Sequence, residues 1–450
     1  MNAFFPRTFL KDCPVVESAA GVWLQDREGK RYFDGSCGAI VTNLGHGNAC
    51  INDAILKQLN KVAYAHTSQF WSEPALKLCE KLIELAPANF TGGRVFLTSG
   101  GSESVETALK MARGFFLERG ESNRHQVISR RHSYHGATAG ALSVTGHPAR
   151  KRPYSPILKE SNFIHSTYDY RCLCGDPAPT PCKKQSCALA RANELEEAIL
   201  DLGPENVMAF LAEPISGAAL GAVVPGDAYW PRIKEICTKY GVLLVADEVM
   251  VGLGRTGKVF AINHWQVEPD LIVLGKGLAA GYQPLGAVLA GPKVVDAFQK
   301  NSGVFEHGYT YSGHPVAAAA GLACLEFLAR ENLVERVAEM QTFFFSKLDE
   351  LRKYEFVGDI RGRGLFAGIE FVEDKQSKKP FDAAHKFSKK ISAAATANGV
   401  LIYPGSAFID GVSGDHVLIA PPFIATEEEL DEMFDRLDAA FGSVQTIQRS

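Results

Sequence analysis

The chain has 450 residues, with 47 Lys and Arg against 51 Asp and Glu and a formal charge of −4. That balance gives no electrostatic case for nucleic acid or an anionic membrane, and no apolar run reaches the roughly 18 residues that cross a bilayer. The length predicts about three domains, or one large and one small.

Residues 21–34 predict two strands around a turn at Glu28–Gly29. Helical periodicity follows at about 49–62 and 74–86. From about 94 to 290, apolar runs alternate with helical stretches: R-V-F-L-T, Q-V-I-S, V-M-A-F-L-A, V-L-L-V-A-D, L-I-V-L and G-A-V-L-A. Fully apolar strands separated by helices predict a parallel sheet covered on both faces, hence an α/β fold. A small-residue helix from about 315 leads into a second one ending near 353. The last part has a different texture: strands near 365–371, 400–403 and 416–419, a helix near 382–398, and a final helix from Glu427. It predicts a smaller α+β unit joined by the N-terminal hairpin, with domain limits of 50–325 for the large unit and 1–49 plus 326–450 for the small one. Residues 168–190, rich in Cys and Pro, predict an irregular loop insertion.

Ten cysteines, six of them widely scattered, predict buried thiols in a reducing compartment, and the start M-N-A-F-F-P-R-T-F-L-K-D lacks the zones of a signal peptide. A cytoplasmic protein is expected. Cys172, Cys174, Cys182 and Cys187 spell C-x-C-x7-C-x4-C, a set able to hold zinc tetrahedrally. The spacing is not a pair of C-x-x-C knuckles, so reduced loop thiols are favoured and no metal is expected.

Five segments carry chemistry. T-S-G-G-S-E-S-V-E (98–106) follows a strand and opens a helix, so Gly100, Gly101 and Ser102 would offer free N–H groups to a phosphate. An ordinary turn with Ser102 as cap accounts for the same residues. In S-Y-H-G-A-T (133–138), Tyr134 offers a ring for stacking, with His135 beside it, though a turn tyrosine is commonly just half-buried. Glu213 in A-E-P-I stands at a strand end, where the sites of parallel sheets collect, or simply ends that strand.

V-L-L-V-A-D-E-V ends five apolar residues with Asp247, a carboxylate that burial makes costly without a strong partner, and Val249 follows it. D-L-I-V-L-G-K-G then delivers Lys276 between two glycines. A strand-borne carboxylate and a strand-borne lysine with room beside it are what a pyridoxal 5′-phosphate enzyme needs. The lysine links to the cofactor aldehyde, and the aspartate keeps a proton on the pyridine nitrogen.

V-G-L-G-R-T-G-K-V (251–259) mimics two nucleotide motifs. No strand leads directly into its glycines, no helix follows convincingly, and Val259 stands where a P-loop needs Ser or Thr, so a flexible loop near the site is expected instead.

Taken in order, G-G-S-E-S-V-E-T-A (100–108), Y-H-G (134–136), E-P (213–214), D-E-V (247–249), G-K-G (275–277), H-G-Y-T-Y-S-G-H-P (307–315) and A-P-P (420–422) resemble the class III aminotransferases. This is the ω-amino acid, or subgroup II, family of pyridoxal-phosphate enzymes. The resemblance covers nearly the whole chain. It implies fold type I, with a large domain around a mostly parallel seven-stranded sheet and a small domain from both termini. It implies a homodimer with shared sites, leaving open whether dimers pair into tetramers, and small-molecule partners: an amine donor and a keto-acid acceptor. Lys276 and Asp247 would be catalytic. Gly101 and Ser102 would hold the phosphate, Tyr134 would stack on the ring beside His135 and Val249, and Glu213 would lie on the substrate side. Thr310 would reach the phosphate of the partner subunit. Ile40 and Trp71, in early segments that relatives use to line the substrate pocket, are candidates for an apolar wall.

The implied reaction is ping-pong transamination. A diaminopelargonate-type aminotransferase, an aminomutase or a decarboxylase of the same fold stays open. One departure stands out. Many relatives carry an arginine shortly before the late P-P, whereas no arginine lies between Arg363 and Arg436 here. A bidentate carboxylate clamp is missing there, so Arg150, Arg152, Arg255 or backbone donors must meet an acceptor carboxylate. Pyruvate is expected to serve better than 2-oxoglutarate.

Overall fold

A computed structural model describes residues 3–9, 13–172, 174, 182 and 184–449. Parts of the N-terminal start and of the Cys-rich insertion therefore lie outside the described residues. Among the described residues, fourteen strands form three sheets. The largest has seven strands in the order β4-β10-β9-β8-β7-β5-β6, where β4 is Arg94–Thr98, β5 Gln126–Arg130, β6 Asn162–Ile164, β7 Val207–Ala212, β8 Leu243–Asp247, β9 Leu271–Leu274 and β10 Gly286–Ala290. Neighbours from β9 to β6 pair in parallel, and β10 alone runs antiparallel, between β4 and β9. The sheet is α/β and mostly parallel, as the apolar runs predict.

Strands β7 to β10 are buried at every position, which is why they read as unbroken apolar runs. One face packs against the helix Gly101–Glu118 through Val105, Ala108, Ala112 and Phe115. The other meets the helices Gln185–Leu202 and Tyr229–Tyr240 through Leu195, Ile199, Trp230 and Ile233.

The hairpin forms as expected from β2 (Trp23–Asp26) and β3 (Arg31–Phe33), with Gly29 at φ 82° in the turn. A preceding strand, β1 (Val16–Ala20), adds to it; exposed at four of five positions, it carries no clear alternation to betray it. The third sheet has the order β11-β12-β14-β13, from β11 (Val357–Arg363), β12 (Phe366–Phe371), β13 (Tyr403–Ser406) and β14 (Asp415–Ile419). Strand β11 has charged residues in its middle, which hid it in the sequence. The two ends of the chain meet where the Phe33 N–H donates to the Gly399 carbonyl at 2.8 Å and the Leu401 N–H to that of Phe33 at 2.9 Å. Among the described residues, no helix is long and apolar enough to cross a membrane.

Candidate active site

Five strands of the large sheet end in the segments singled out above. Thr98 of β4 leads to Gly101 and Ser102, Arg130 of β5 to Tyr134 and His135, Ala212 of β7 to Glu213, β8 ends on Asp247, and Leu274 of β9 leads to Lys276. The C-terminal edge of a parallel sheet is where crossover connections leave an open crevice. There these residues, with Val249, line one cleft of about 190 Å³.

Asp247 is held from two sides. His135 Nδ1 lies 2.7 Å from Oδ2, and the Val249 N–H donates to Oδ1 at 3.1 Å. Both side chains of the His–Asp pair are buried. This is the strong partner that a carboxylate at the end of an apolar strand requires. It was invisible in sequence, since 112 residues separate the two. Glu213 is also buried; its Oε1 accepts from the Gly217 N–H at 2.9 Å, while Oε2 finds no partner among the described residues. Burial raises its pKa, and the nearby Asp247 adds to the rise.

Lys276 lines the same cleft at φ 42°, a backbone region non-glycine residues seldom occupy, the kind of local strain that collects at functional sites. Burial lowers its amine to about 8, opposed by the attraction of Asp247 and Glu213. Its neighbour Gly275 approaches the helix start so closely that an added Cβ would stand 3.0 Å from the Gly101 N and 3.3 Å from Val249 Cγ1. A Cβ on Gly101 would come within 2.7 Å of Val249 Cγ1. Gly136, at φ 143°, passes so near Ser102 that a Cβ there would lie 2.7 Å from the hydroxyl. Ser102 itself accepts from the Ala137 N–H at 3.0 Å, tying the Y-H-G loop to the helix start.

The donor set fits pyridoxal 5′-phosphate. The N-terminus of the 18-residue helix Gly101–Glu118, which no side chain caps, suits a phosphate, a buried fixed carboxylate suits a protonated ring nitrogen, and an amine more readily deprotonated than an ordinary lysine suits an aldehyde. The unpartnered Glu213 Oε2 and His135 Nε2 are buried polar atoms awaiting partners, in a cleft shaped by three glycines.

A class-III aminotransferase family model matches residues 9–441. The chain belongs to the class III aminotransferases. An uncharacterized aminotransferase of Schizosaccharomyces pombe is 39% identical over 432 residues, covering 96% of this chain and 93% of that protein. An (S)-enantioselective ω-transaminase from Thermomicrobium roseum superposes with a TM-score of 0.90 at 35% identity, covering 98% of this chain and 96% of the other. A PLP-bound amine transaminase from an uncultivated Pseudomonas species gives 0.90 at 34%, covering 98% and 99%. The chain thus has the fold type I architecture of these enzymes.

Some expected residues of this aminotransferase stand elsewhere. Ile40 is 2% exposed and packed in the main core, so it does not line the cleft of its own chain. Trp71 is 78% exposed and borders a separate groove with Cys79, Ile83 and Phe96. Thr310 is exposed and outside its own chain's cleft; its carbonyl accepts from Tyr64 Oη at 2.8 Å. The glycine-rich loop after Val251 is a packed structure, not a free one: Gly254 sits against Val334, Phe423 and Leu328, and Gly257 against Ala338.

Arg255 in that loop is fully buried, donates to the Leu365 and Pro421 carbonyls at 3.0 and 2.6 Å, and is not available to a substrate. Arg152 reaches toward the Gly411 carbonyl at 3.5 Å. Arg150 is different: its guanidinium stacks 4.3 Å from the Tyr134 ring centre and lies near enough to Lys276 to help lower that amine's pKa.

Proposed function

We propose that this class III aminotransferase moves an amino group from an amine or ω-amino acid to a keto acid, pyruvate above all, by a ping-pong mechanism dependent on pyridoxal 5′-phosphate. The observation that carries the proposal is Lys276, its amine lowered by burial to about 8, in one cleft with a buried and doubly hydrogen-bonded Asp247. The cofactor, when bound, supplies an electron sink for the charge left when a proton leaves the carbon bearing the transferred nitrogen.

The chain's residues do the rest. Gly101 and Ser102 hold the phosphate by N–H groups at the helix start. Tyr134 and Val249 would flank the ring and Asp247 would face its nitrogen, while His135 holds Asp247 in place. The Lys276 amine Nζ would be the group that takes up and gives back the migrating proton, a double duty for which a pKa near the working pH is suited. Glu213 lies on the substrate side.

Arg150 is the residue we assign to the acceptor carboxylate. Of the three arginines considered, it alone pairs a place beside Tyr134 with an electrostatic effect on Lys276. The reading extends to a homodimer in which Thr310 of each chain serves the phosphate of its partner, and to a small domain built from 1–49 and 326–450. The exposure of Thr310 and the junction of Phe33 with Gly399 and Leu401 support both.

The test is an amine-by-acceptor activity matrix with product identification, on protein whose absorbance near roughly 420 nm is bleached by borohydride. Steady turnover by a Lys276→Ala protein removes the mechanism. A product that keeps its nitrogen or loses carbon dioxide replaces transamination by mutase or decarboxylase chemistry.

A further inference from the structure

None of the described residues of the Cys-rich insertion between β6 and the helix Gln185–Leu202 lines the cleft. Its four cysteines nonetheless converge. The Sγ atoms of Cys172, Cys174, Cys182 and Cys187 all lie within 4.8 Å of one another. The separation is 3.8 Å between Cys174 and Cys182 and 3.6 Å between Cys182 and Cys187. A zinc–thiolate bond of about 2.3 Å in a tetrahedron places sulfurs about 3.8 Å apart. A disulfide needs about 2.05 Å and unites two sulfurs, not four. The spacing of the cysteines alone favours unbound loop thiols, and it does not reveal this convergence.

The backbone explains how the set is assembled. Cys172 follows the short turn Asp169–Arg171, and the Cys182 N–H donates to the Asp169 carbonyl at 2.8 Å, which sets Cys182 beside that turn. Cys187 stands in the first turn of the helix Gln185–Leu202, which brings its Sγ to the other three. Arg171 and Arg191, ion-paired with Glu370 and Glu194, line the adjoining cavity together with Cys172 and Cys187. Just upstream, Tyr168 hydrogen-bonds Glu370 of β12, and Arg171 Nε donates to the same carboxylate at 2.7 Å.

We propose that Cys172, Cys174, Cys182 and Cys187 bind one zinc ion as a tetrahedral tetrathiolate that fixes the insertion between the large sheet and β12. Binding displaces the remaining thiol protons to solvent. Four protein ligands leave no open position, so the site is structural and takes no part in the reaction.

The experiment uses the full chain purified under reducing conditions, with zinc and iron measured by inductively coupled plasma mass spectrometry. About one zinc per chain is expected. Cys182→Ser and Cys187→Ser should each lose most of it, whereas Cys13→Ser, exposed and remote in sequence, should keep it. Cofactor absorbance of the variants checks that they fold. Replacing zinc by Co²⁺ in the unmutated chain should give the intense visible bands and sulfur-to-metal charge transfer of tetrahedral S₄ coordination. Zinc well below one equivalent after reconstitution with Zn²⁺, iron in its place, disulfides among these cysteines by non-reducing peptide mapping, or equal loss in Cys13→Ser each overturns the proposal. Because none of the readouts is turnover, the outcome is independent of whether the chain transaminates.

Discussion

His135 Nδ1 lies 2.7 Å from Asp247 Oδ2, and both groups are buried. An ionised carboxylate only accepts, so His135 donates from Nδ1 and fixes the acid that faces the cleft. Removing the imidazole leaves one oxygen of a buried carboxylate without its donor, at a point where sub-ångström placement matters. His135→Ala is expected to lower kcat roughly 10- to 100-fold and to weaken cofactor retention. Asp247→Asn should cost more, on the order of 10³ or beyond, because the ring nitrogen loses its charge. Steady-state kinetics and cofactor titration of both variants decide the matter. A His135→Ala enzyme with unaltered kcat would show that Asp247 needs no such support.

Lys276 gives a pH signature. Burial lowers its pKa from 10.5 to about 8 in the cofactor-free chain. Between those values the unfolded chain binds more protons than the folded one, so stability rises with pH across the window; below about 8 both forms are charged and the full penalty stands. Lys276→Met should therefore abolish turnover yet stabilise the cofactor-free protein at neutral pH by roughly 1–3 kcal/mol, a gain that fades toward pH 10. Urea melts at pH 7 and 10 check this. An equal effect at both pH values would mean that the amine is not desolvated.

What the sequence shows and hides follows from physical locality. The runs in β7, β8 and β9 were legible because both faces are buried, leaving no polar residue to blur them. Strand β6 has three residues and β1 is mostly exposed, so neither carries a pattern. At the site, Gly101, Ser102, Tyr134, Glu213, Asp247 and Lys276 were legible because each follows or ends a sheet strand with chemically distinctive neighbours. The His135–Asp247 contact, the burial of Arg255 and the gathering of the four thiols depend on tertiary packing. Ile40, expected in a pocket wall, packs in the core of its own chain, since an apolar residue in an early segment serves the core as readily as a pocket.

Arg150 should separate substrates by charge. Its stacking on Tyr134 places a guanidinium beside the ring that lines the cleft. Arg150→Leu is expected to raise KM for pyruvate about 10-fold or more while leaving the half-reaction with a carboxylate-free amine within about 3-fold. Stopped-flow half-reactions with 1-phenylethylamine and with pyruvate measure the two separately. An equal loss in both halves would make the residue a prop for Tyr134 and leave the carboxylate without an assigned partner. In the unmutated enzyme the missing late arginine predicts weak use of 2-oxoglutarate; robust turnover with it and little with pyruvate would overturn that order.

Gly101 and Val249 test whether close packing shapes the cofactor cleft. An alanine Cβ at Gly101 would sit 2.7 Å from Val249 Cγ1 and 3.1 Å from Cγ2. A β-branched side chain has little rotameric freedom with which to retreat, so either the valine or the helix start must move. Moving the valine tilts a wall of the cleft, and moving the helix start displaces the N–H groups assigned to the phosphate. Gly101→Ala is therefore expected to weaken cofactor affinity about 10- to 100-fold with little loss of global stability. Val249→Ala alone should cost about 10-fold or less, and adding it to Gly101→Ala should restore much of the lost affinity by removing the colliding methyls. Cofactor titration across the four proteins yields the coupling, and additive losses would place the defect in the alanine's own contact with the phosphate instead of in its collision with Val249.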